Sequence, residues 1–572
     1  MNAARLLALY EQVAEAPNAI GCLRRFVLDL AVRGKLVAQD PNDEPASELV
    51  KRIAAEKARL VKLGEIRKKA AQDPKMVGPP FDLPSNWRWV SLGTVFLYDA
   101  GTKRAPRLLD PLFWLLELED IEKETGRLLA RIAVKDRESK STKSEFHPGD
   151  ILYGKLRPYL TKVLVADERG YSTTEIIAIR PFVPLCSEYC ALALRRPDFV
   201  EYVARLGQGT KMPRLRTEDA VVSPFPLPPL AEQRRIVAKV EELMALLDRL
   251  DAARTAREAT RDRLSAASLA CLVAPDTTPE VFPAHARFAL DALPALTTRR
   301  DQIKALRQTI LNLAVRGKLV EPDPNDEPAS ELLKRIAEGK AAAKRDTADA
   351  RIRPAAGPYP DVLPMVLPVG WSTQSFENLF LFIDYRGKTP PKTAEGVPLM
   401  TAKNVRMGSL NREPREFIAE KTLKAWMRRG LPKVGDLFFT TEAPLANICL
   451  NDITEPFALA QRVICFQPYA EIDTRFLMFA IMSDVIQGII EEHSTGLTAK
   501  GIKAAKLKPL PLPIPPLAQQ HRIVAKVDAL MALCDRLEAS LATTDTTKQR
   551  LLEALLHEAL APASTPLETE FV

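Results

Sequence analysis

With 572 residues, 46 % of them hydrophobic and 27 % charged, the chain has an ordinary globular composition and room for three to four domains of ~150 residues. No apolar run approaches the ~20 residues of a membrane span, and MNAARLLALYEQ lacks a basic stretch followed by a long apolar one, so neither an anchor nor a secretory leader is expected. Seven scattered cysteines without a CxxC pair argue against a disulfide framework or zinc site and for the cytoplasm, while a net charge of +8 permits a polyanionic partner without requiring one.

Residues 1–35 read as helical. Ile20, Leu23, Val27 and Leu30 lie on one helical face, and Gly34 stands where a C-terminal cap belongs. The turn DPNDEP follows from Asp40, and Asn42, Asp43 and Pro45 are expected to cap a second helix, SELVKRIAAEKARLVK. From about Pro74 a proline-rich stretch leads into short strands such as DILYGKL, KVLVAD and EIIAIRPF. This region runs to about Val222 and leaves through PFPLPPL, which predicts a stiff boundary, since proline continues neither a helix nor a central strand. Beyond it Ile236, Val240, Leu243, Leu247 and Leu250 form a heptad seam, interrupted by Arg254 and Arg257. The helix is expected to reach about Ala274; ~40 residues at 1.5 Å each make a rod of ~60 Å.

Then the chain repeats itself. LAVRGKLVAQDPNDEPASELVKRIAAEKA, Leu30 to Ala58, returns as LAVRGKLVEPDPNDEPASELLKRIAEGKA, Leu313 to Ala341. PPLAEQRRIVAKVEELMALLDRL from Pro228 returns as PPLAQQHRIVAKVDALMALCDRL from Pro515. The stripe Ile303, Leu306, Ile310 and Leu313 is closed by Gly317; Asn325, Asp326 and Pro328 repeat the turn; Ile523, Val527, Leu530, Cys534 and Leu537 repeat the seam. A second dissimilar region, with strands DLFFTT and RVICFQP, enters by RPAAGPYPDVLPMVLPVGW and leaves through PLPLPIPPL. PGDILYGKLRPYL from Pro148 matches VGDLFFTTEAPLANI from Val434, so one fold with diverged loops is expected in both regions. Matching seams in a tandem duplication predict two rods paired antiparallel with pseudo-twofold symmetry; two separate small bundles are the alternative.

Motifs for catalysis are missing. There is no G-x-x-x-x-G-K-[ST] loop and no G-x-G-x-x-G turn to seat ATP or an adenosyl cofactor. The five histidines are dispersed without metal-ligand spacing. Asp120-Ile-Glu122-Lys123 approaches a nuclease-like D-x-E-x-K with its lysine one place early, and reads instead as a solvated strand-to-turn segment. The expectation is therefore no catalytic residue, no metal and no cofactor.

What remains is recognition chemistry in loops. The first region offers Lys103, Arg104 and Arg107 in GTKRAPR, Lys155, Arg157 and Tyr159 in GKLRPYL, and Lys211 and Arg214 in GTKMPR. The second offers Tyr385, Arg386 and Lys388 in YRGKTPPK, Lys403, Asn404 and Arg406 in TAKNVRMG, and Thr498 and Lys500 in its exit loop. Arginine to guanine and asparagine to adenine are favoured base pairings, and both cations bind phosphate. Neighbouring glycine and proline let the backbone approach closely and hold the loop stiff.

The order of dissimilar region, repeated helix, dissimilar region, repeated helix resembles the specificity subunit of type I restriction-modification systems. The marks are the two copies of LAVRGKLV, the pair PLPPLAEQRRIVAKVE and PIPPLAQQHRIVAKVD, and the GDILYGKLRPYL, YRGKTPPK and TAKNVRMG stretches. The resemblance spans essentially the whole chain. It implies an α/β (α+β) fold: two globular target-recognition domains separated by two long antiparallel helices that form a coiled coil, with a pseudo-twofold internal repeat. The expected divisions are an N-terminal helical region 1–79, recognition domains 80–225 and 364–512, a central spacer 226–363 carrying the second repeat, and a spacer helix 513–572. Each domain would read one half of a bipartite double-stranded DNA site. The helices would fix the gap and dock two methyltransferase subunits, which bring adenine methylation, while restriction subunits bring ATP hydrolysis and cleavage. A self-contained methyltransferase or nuclease would instead act alone with adenosylmethionine or Mg²⁺, and a pure coiled-coil scaffold would not bind DNA.

Overall fold

The computed structural model describes residues 8–560 apart from 9, 12, 15, 68–70, 139, 207–210, 275–280, 347–362, 385–389 and 497–499. The chain divides into two compact units. The first comprises Met1–Ala256 with Asp545–Val572, and the second Arg257–Thr544. The helices Leu230–Val273 and Leu517–Leu560, 44 residues each, therefore contribute to both. No helix among the described residues is long and apolar enough to cross a membrane.

Each unit has a helical frame and a β domain in two layers. In the first unit the helix Ala19–Val32 buries Ile20, Leu23, Val27 and Leu30, as its stripe predicts, and turns at Gly34 with φ 68°. A side chain at Gly34 would have its Cβ 2.5 Å from Pro84 Cγ, so the repeated glycine serves both the left-handed turn and the packing of LPSNW over it. In the second unit Gly317, at φ 66°, meets Pro368 in the same way. The second frame helix starts at Ala46, with Pro45 at the cap position and no side-chain cap. This corrects the expected capping by Asn42 and Asp43. Asp40 instead accepts from the Asn42 backbone N–H at 2.9 Å, and Asp43 binds Arg235 at 2.6 Å.

The proline-rich exits are strands. Pro224–Leu227 pairs antiparallel with Arg88–Ser91, and Pro511–Ile514 with Ser372–Ser375. A two-stranded ribbon tolerates prolines at alternate positions, where the missing N–H would point away from the partner strand. The outward Pro226 carbonyl accepts from Tyr189 Oη at 3.0 Å. Each ribbon clasps the entry of its β domain to the exit.

The first sheet has one order in both units. Phe96–Tyr98, Ile176–Pro181, Ile151–Gly154 and Val163–Val165 lie side by side in the first; Phe380–Asp384, Val463–Pro468, Leu437–Thr440 and Ile448–Leu450 do so in the second. Alternate residues face opposite layers. Ile151 and Tyr153 join the frame core, whereas Leu152 packs with Trp114 and Phe146 of the second sheet. Leu437 and Phe439 likewise face the frame while Phe438 faces the second sheet. A strand buried on both faces reads as an unbroken apolar run, as DILYGKL and DLFFTT do. The second sheets differ: Thr102–Arg104, Lys143–Phe146, Gly170–Ser172, Trp114–Leu116 in one, Lys392–Thr393, Phe417–Ile418, Val397–Met400, Ala458–Leu459 in the other.

The seam residues enter the cores of their own units. Ile236, Val240, Leu243 and Leu247 are buried with Leu23, Val27 and Leu30, and Leu250 packs at their edge. Ile523, Val527 and Cys534 are buried with Ile303 and Ile310, and Leu530 and Leu537 lie at the rim of that core. Two heptads of apolar spacing are also what any helix packed on a frame shows, and these residues take that role. Leu552 completes the first core.

Candidate nucleic-acid interface

The repeated stretches build the same contacts twice. Arg24 binds Asp248 at 2.7 Å and Arg307 binds Asp535 at 2.7 Å. Arg235 reaches Asp43 at 2.6 Å, and Arg522 reaches Asp326 at 2.5 Å. Trp87 Nε1 donates to Glu232 at 2.9 Å, and Trp371 Nε1 to Gln519 at 2.8 Å. Buried Lys57 reaches the carbonyls of Gly93 and Thr94; Lys340 reaches that of Glu377. These residues belong to the frame. The GD pair that opens each central strand is also structural: Gly149 and Gly435 have φ of 86° and 90°, and Asp150 and Asp436 accept from the backbone N–H of His147 and Lys433 at 2.9 and 2.7 Å. Burial pushes the Asp436 carboxyl above its ordinary range, since Gln467 stands where Arg180 forks onto Asp150.

What the frame leaves outside is two groups of loops in each domain. In the first domain the loop after Gly154 meets the exit loop. Arg157 N donates to Pro213 O at 2.8 Å, and Leu215 N to Lys155 O at 3.0 Å. This brings together Lys155, Arg157, Tyr159 and Arg214, with Lys211 exposed three residues ahead. Arg157 and Thr161 have φ of 49° and 51°, a strained left-handed backbone of the kind that gathers at binding loops. Tyr159 is 42 % exposed, and Arg214 pairs with Glu175 at 3.0 Å. The second domain repeats the arrangement with other residues. Ile502 N donates to Thr441 O at 2.9 Å, Ala443 has φ 44°, and Lys500 pairs with Glu491. Thr498 lies outside the described residues.

The other group lines the edge of the second sheet. Lys103 binds Asp99 at 2.9 Å, and Arg104 binds Glu145 at 2.7 Å. Arg107 is exposed and makes no ion pair among the described residues. Arg169, absent from the basic clusters legible in the sequence, also grips Glu145. Glu145 is buried; burial opposes its charge, yet Arg104 and Arg169 together hold the carboxyl below its ordinary range. In the second domain Lys403 and Arg406 are exposed, the latter on the hairpin formed by Val405–Arg406 and Ser409–Leu410. Asn404 is withdrawn from the candidate contacts. It is fully buried, its Oδ1 accepts from Thr401 N at 2.9 Å, and its Nδ2 donates to Asn411 O and Pro414 O at 3.1 Å. Both ends of the amide are satisfied, so Asn404 holds the loop. Tyr385, Arg386 and Lys388 lie outside the described residues. The D-x-E-x-K-like segment is not solvated at its first acid: Asp120 is buried, and Arg137 binds its two oxygens at 2.6 and 2.8 Å.

Two domains with the same first sheet and unlike loops stand on a frame whose main contacts recur. The chain belongs to the family of DNA specificity subunits of type I restriction-modification systems. Residues 400–543 match the family model described as type I restriction modification DNA specificity domain. The specificity subunit of the type I restriction enzyme EcoAI of Escherichia coli is 32 % identical over 94 % of this chain and 93 % of that protein. That of EcoEI, from the same organism, is 30 % identical over the same shares. A solved structure described as the basis of complex assembly and conformational transition of the type I R-M system shares the fold. It has a TM-score of 0.50 and 21 % identity, and the match covers 84 % of this chain and 99 % of that one. The relatives are specificity subunits, which are non-catalytic.

Proposed function

We propose that the domains at 80–225 and 364–512 each read one half of a bipartite double-stranded DNA site. The helical regions 1–79, 226–363 and 513–572 set the gap and dock two modification subunits. Adenine methylation then belongs to those subunits, and ATP-driven cleavage to restriction subunits, in the cytoplasm. The observation that carries this reading is the repetition of the frame's contacts beside two domains that differ in their loops and in their second sheet. A duplicated frame offers one kind of partner two equivalent seats, while unlike loops read unlike bases. Helices of 44 residues, about 66 Å long at 1.5 Å per residue, suit half-sites separated by roughly a helical turn or more. Support for antiparallel pairing is that residues 545–560 belong with the first unit and 257–273 with the second. On this reading the contacts come from Lys103, Arg104, Arg107, Lys155, Arg157, Tyr159, Lys211 and Arg214 in one domain, and from Lys403, Arg406 and Lys500 in the other, with Tyr385, Arg386, Lys388 and Thr498 beside them in sequence.

The test is methylome sequencing of cells carrying this chain with its modification subunits. A bipartite motif with a fixed gap is expected, and replacing residues 80–225 by another recognition domain should change one half-site only. A heptad inserted after Leu250 should lengthen the gap or abolish recognition without altering either half-site. A continuous motif, or a swap that alters both halves, would overturn the proposal.

A further inference from the structure

Glu145 is a carboxylate with 2 % of its side chain exposed, yet both of its cationic partners lie at the surface: Arg104 is 41 % and Arg169 48 % exposed. Such burial of a charge is tolerated only with partners in good geometry, and here there are two. Arg104 Nε donates to Oε2 at 2.7 Å and Arg169 Nε to Oε1 at 2.6 Å. The three groups carry one net positive charge. Elsewhere in this domain Lys103 is balanced by Asp99 and Arg131 by Asp167 and Glu168, while Arg107 makes no ion pair among the described residues. Arg104 engages Glu145 through Nε alone, so its two terminal nitrogens have no hydrogen-bond partner among the described residues. Arg169 is braced further, with its guanidinium 5.1 Å from the centre of the Phe113 ring. A guanidinium held by one edge presents its remaining donors in a fixed fork, the geometry that suits a guanine edge or a phosphate.

The second domain has a looser counterpart made of other residues, in which Oε2 of the central carboxylate has no hydrogen-bond partner among the described residues. Glu416, 16 % exposed, lies 2.8 Å from Lys392 and 3.8 Å from Lys403. In both domains one cation comes from the first edge strand of the second sheet, Thr102–Arg104 or Lys392–Thr393, and the other from a loop. The second sheet is also where the two domains diverge in strand order. A feature kept there while its residues change is tied to what the domains share, which is a polyanionic target, and the residue types to what distinguishes them.

We infer that Glu145 is a positioning residue that holds Arg104 and Arg169 as a paired contact to the DNA half-site of the first domain, and that Glu416 holds Lys392 and Lys403 likewise for the second. This rests on the proposed reading of half-sites and adds Arg169 and Lys392 to the contact surface. Arginine forks suit base edges, whereas lysines act as point charges toward phosphate. The first clamp therefore contributes to sequence discrimination and the second to affinity.

The test uses the full chain with its modification subunits and a duplex carrying the site found by methylome sequencing. Affinity is measured for that duplex and for duplexes scrambled in either half, over a salt series. R104A and R169A are expected to lower affinity for the intact site roughly five- to a hundred-fold and to relax discrimination in the first half only. E145Q should give the same pattern more weakly in a chain that still folds, with a lowered melting temperature because the two ion pairs are lost. K392A and K403A should weaken all duplexes alike and reduce the salt slope by about one each. A uniform loss with a reduced salt slope in R169A would assign that guanidinium to phosphate and overturn its part in discrimination. Should E145Q not fold, R169A, at an exposed position, carries the test. R104A and R169A that bind and discriminate like the wild type would overturn the inference while leaving the functional reading intact. A wild-type complex that ignores scrambling of either half would end that reading and the inference with it.

Discussion

In the first domain the strand Trp114–Leu116 closes the far edge of the second sheet, whereas in the second domain the strand at the same point of the chain, Val397–Met400, lies inside it. Both strands keep a parallel partner, Gly170–Ser172 in one case and Ala458–Leu459 in the other. What is exchanged is which member of that pair sits beside the antiparallel edge. The first sheets show no such exchange, because one face of each is packed into the frame core. A strand held on both faces by apolar contacts cannot change place without rebuilding two cores at once. The second sheet is clear of the frame core, and in the first domain its outer face meets only the small cluster of Leu109, Leu115 and Tyr171. Divergence is thus confined by packing to the layer remote from the frame, where new loop chemistry is tolerated.

Two substitutions probe how far the frames are interchangeable. Trp87 and Trp371 occupy the same place, each with its indole N–H on the residue at the head of the long helix. Trp87→Ala and Trp371→Ala should each cost about 3–5 kcal/mol, read by chemical denaturation with one transition followed per unit. A cost confined to one of them would break the equivalence of the frames. The equivalence already has a flaw at Gly339, where Glu56 stands in the first copy. A Cβ at Gly339 would lie 2.2 Å from the Tyr469 carbonyl oxygen. Gly339→Ala should therefore destabilise by about 1–3 kcal/mol through overpacking, while Glu56→Ala should be close to neutral.

Much of the frame is legible in the sequence because its residues recur. The stripe at Ile20, Leu23, Val27 and Leu30, the turn at Gly34 and the long helix ending near Ala274 all follow from helical spacing and breakers. The proline-rich exits read as boundaries alone, since local rules weigh proline against a strand and cannot see that Pro224 and Pro226 face away from Arg88–Ser91. The seam at Ile236 to Leu247 has the spacing of a coiled coil, but two heptads do not name the partner, and the helix Ala19–Val32 shares that core. Among the loops, Asn404 has the right chemistry for a base edge and the wrong burial. Arg169 and Glu145 escape a reading of the sequence for the opposite reason: neither sits in a basic cluster, and only the sheet brings Arg104 to them. The match between the loop after Gly154 and the exit loop at Pro213 likewise exists only in three dimensions.

A smaller effect should come from moving an ion pair between domains. Arg180 forks onto Asp150 at 2.7 and 2.6 Å, and the same place in the second domain has Gln467 beside Asp436. Burial raises the Asp436 carboxyl above its ordinary value. The folded state thus keeps a proton there that the unfolded chain has lost, and stability falls as pH rises from the ordinary aspartate range through the raised value. Gln467→Arg should remove that fall and gain ~1–2 kcal/mol at neutral pH. The gain should vanish toward pH 3, where the carboxyl is protonated in both states. Melting temperature followed between pH 3 and pH 8 is the measurement; a gain that persists in acid would show that the introduced guanidinium acts through packing and not through the charge of Asp436.

The least effect is expected where the two units agree most closely at the surface. Arg24 pairs with Asp248, whose side chain is 70 % exposed, and Arg307 with Asp535, 67 % exposed. Exposed pairs of this kind are worth about 0.2–1 kcal/mol. Arg24→Ala and Arg307→Ala should therefore each lower stability by no more than that, and the loss should shrink in 1 M salt. On the proposed reading, the frame surface around each pair is where a modification subunit would dock, and that role is separable from folding. The discriminating measurement is assembly with that subunit by size-exclusion chromatography and light scattering. Either variant should fold like the wild type, and loss of one bound modification subunit in each would assign Arg24 and Arg307 to equivalent seats. Full assembly by both variants would leave these pairs as surface contacts without a docking role.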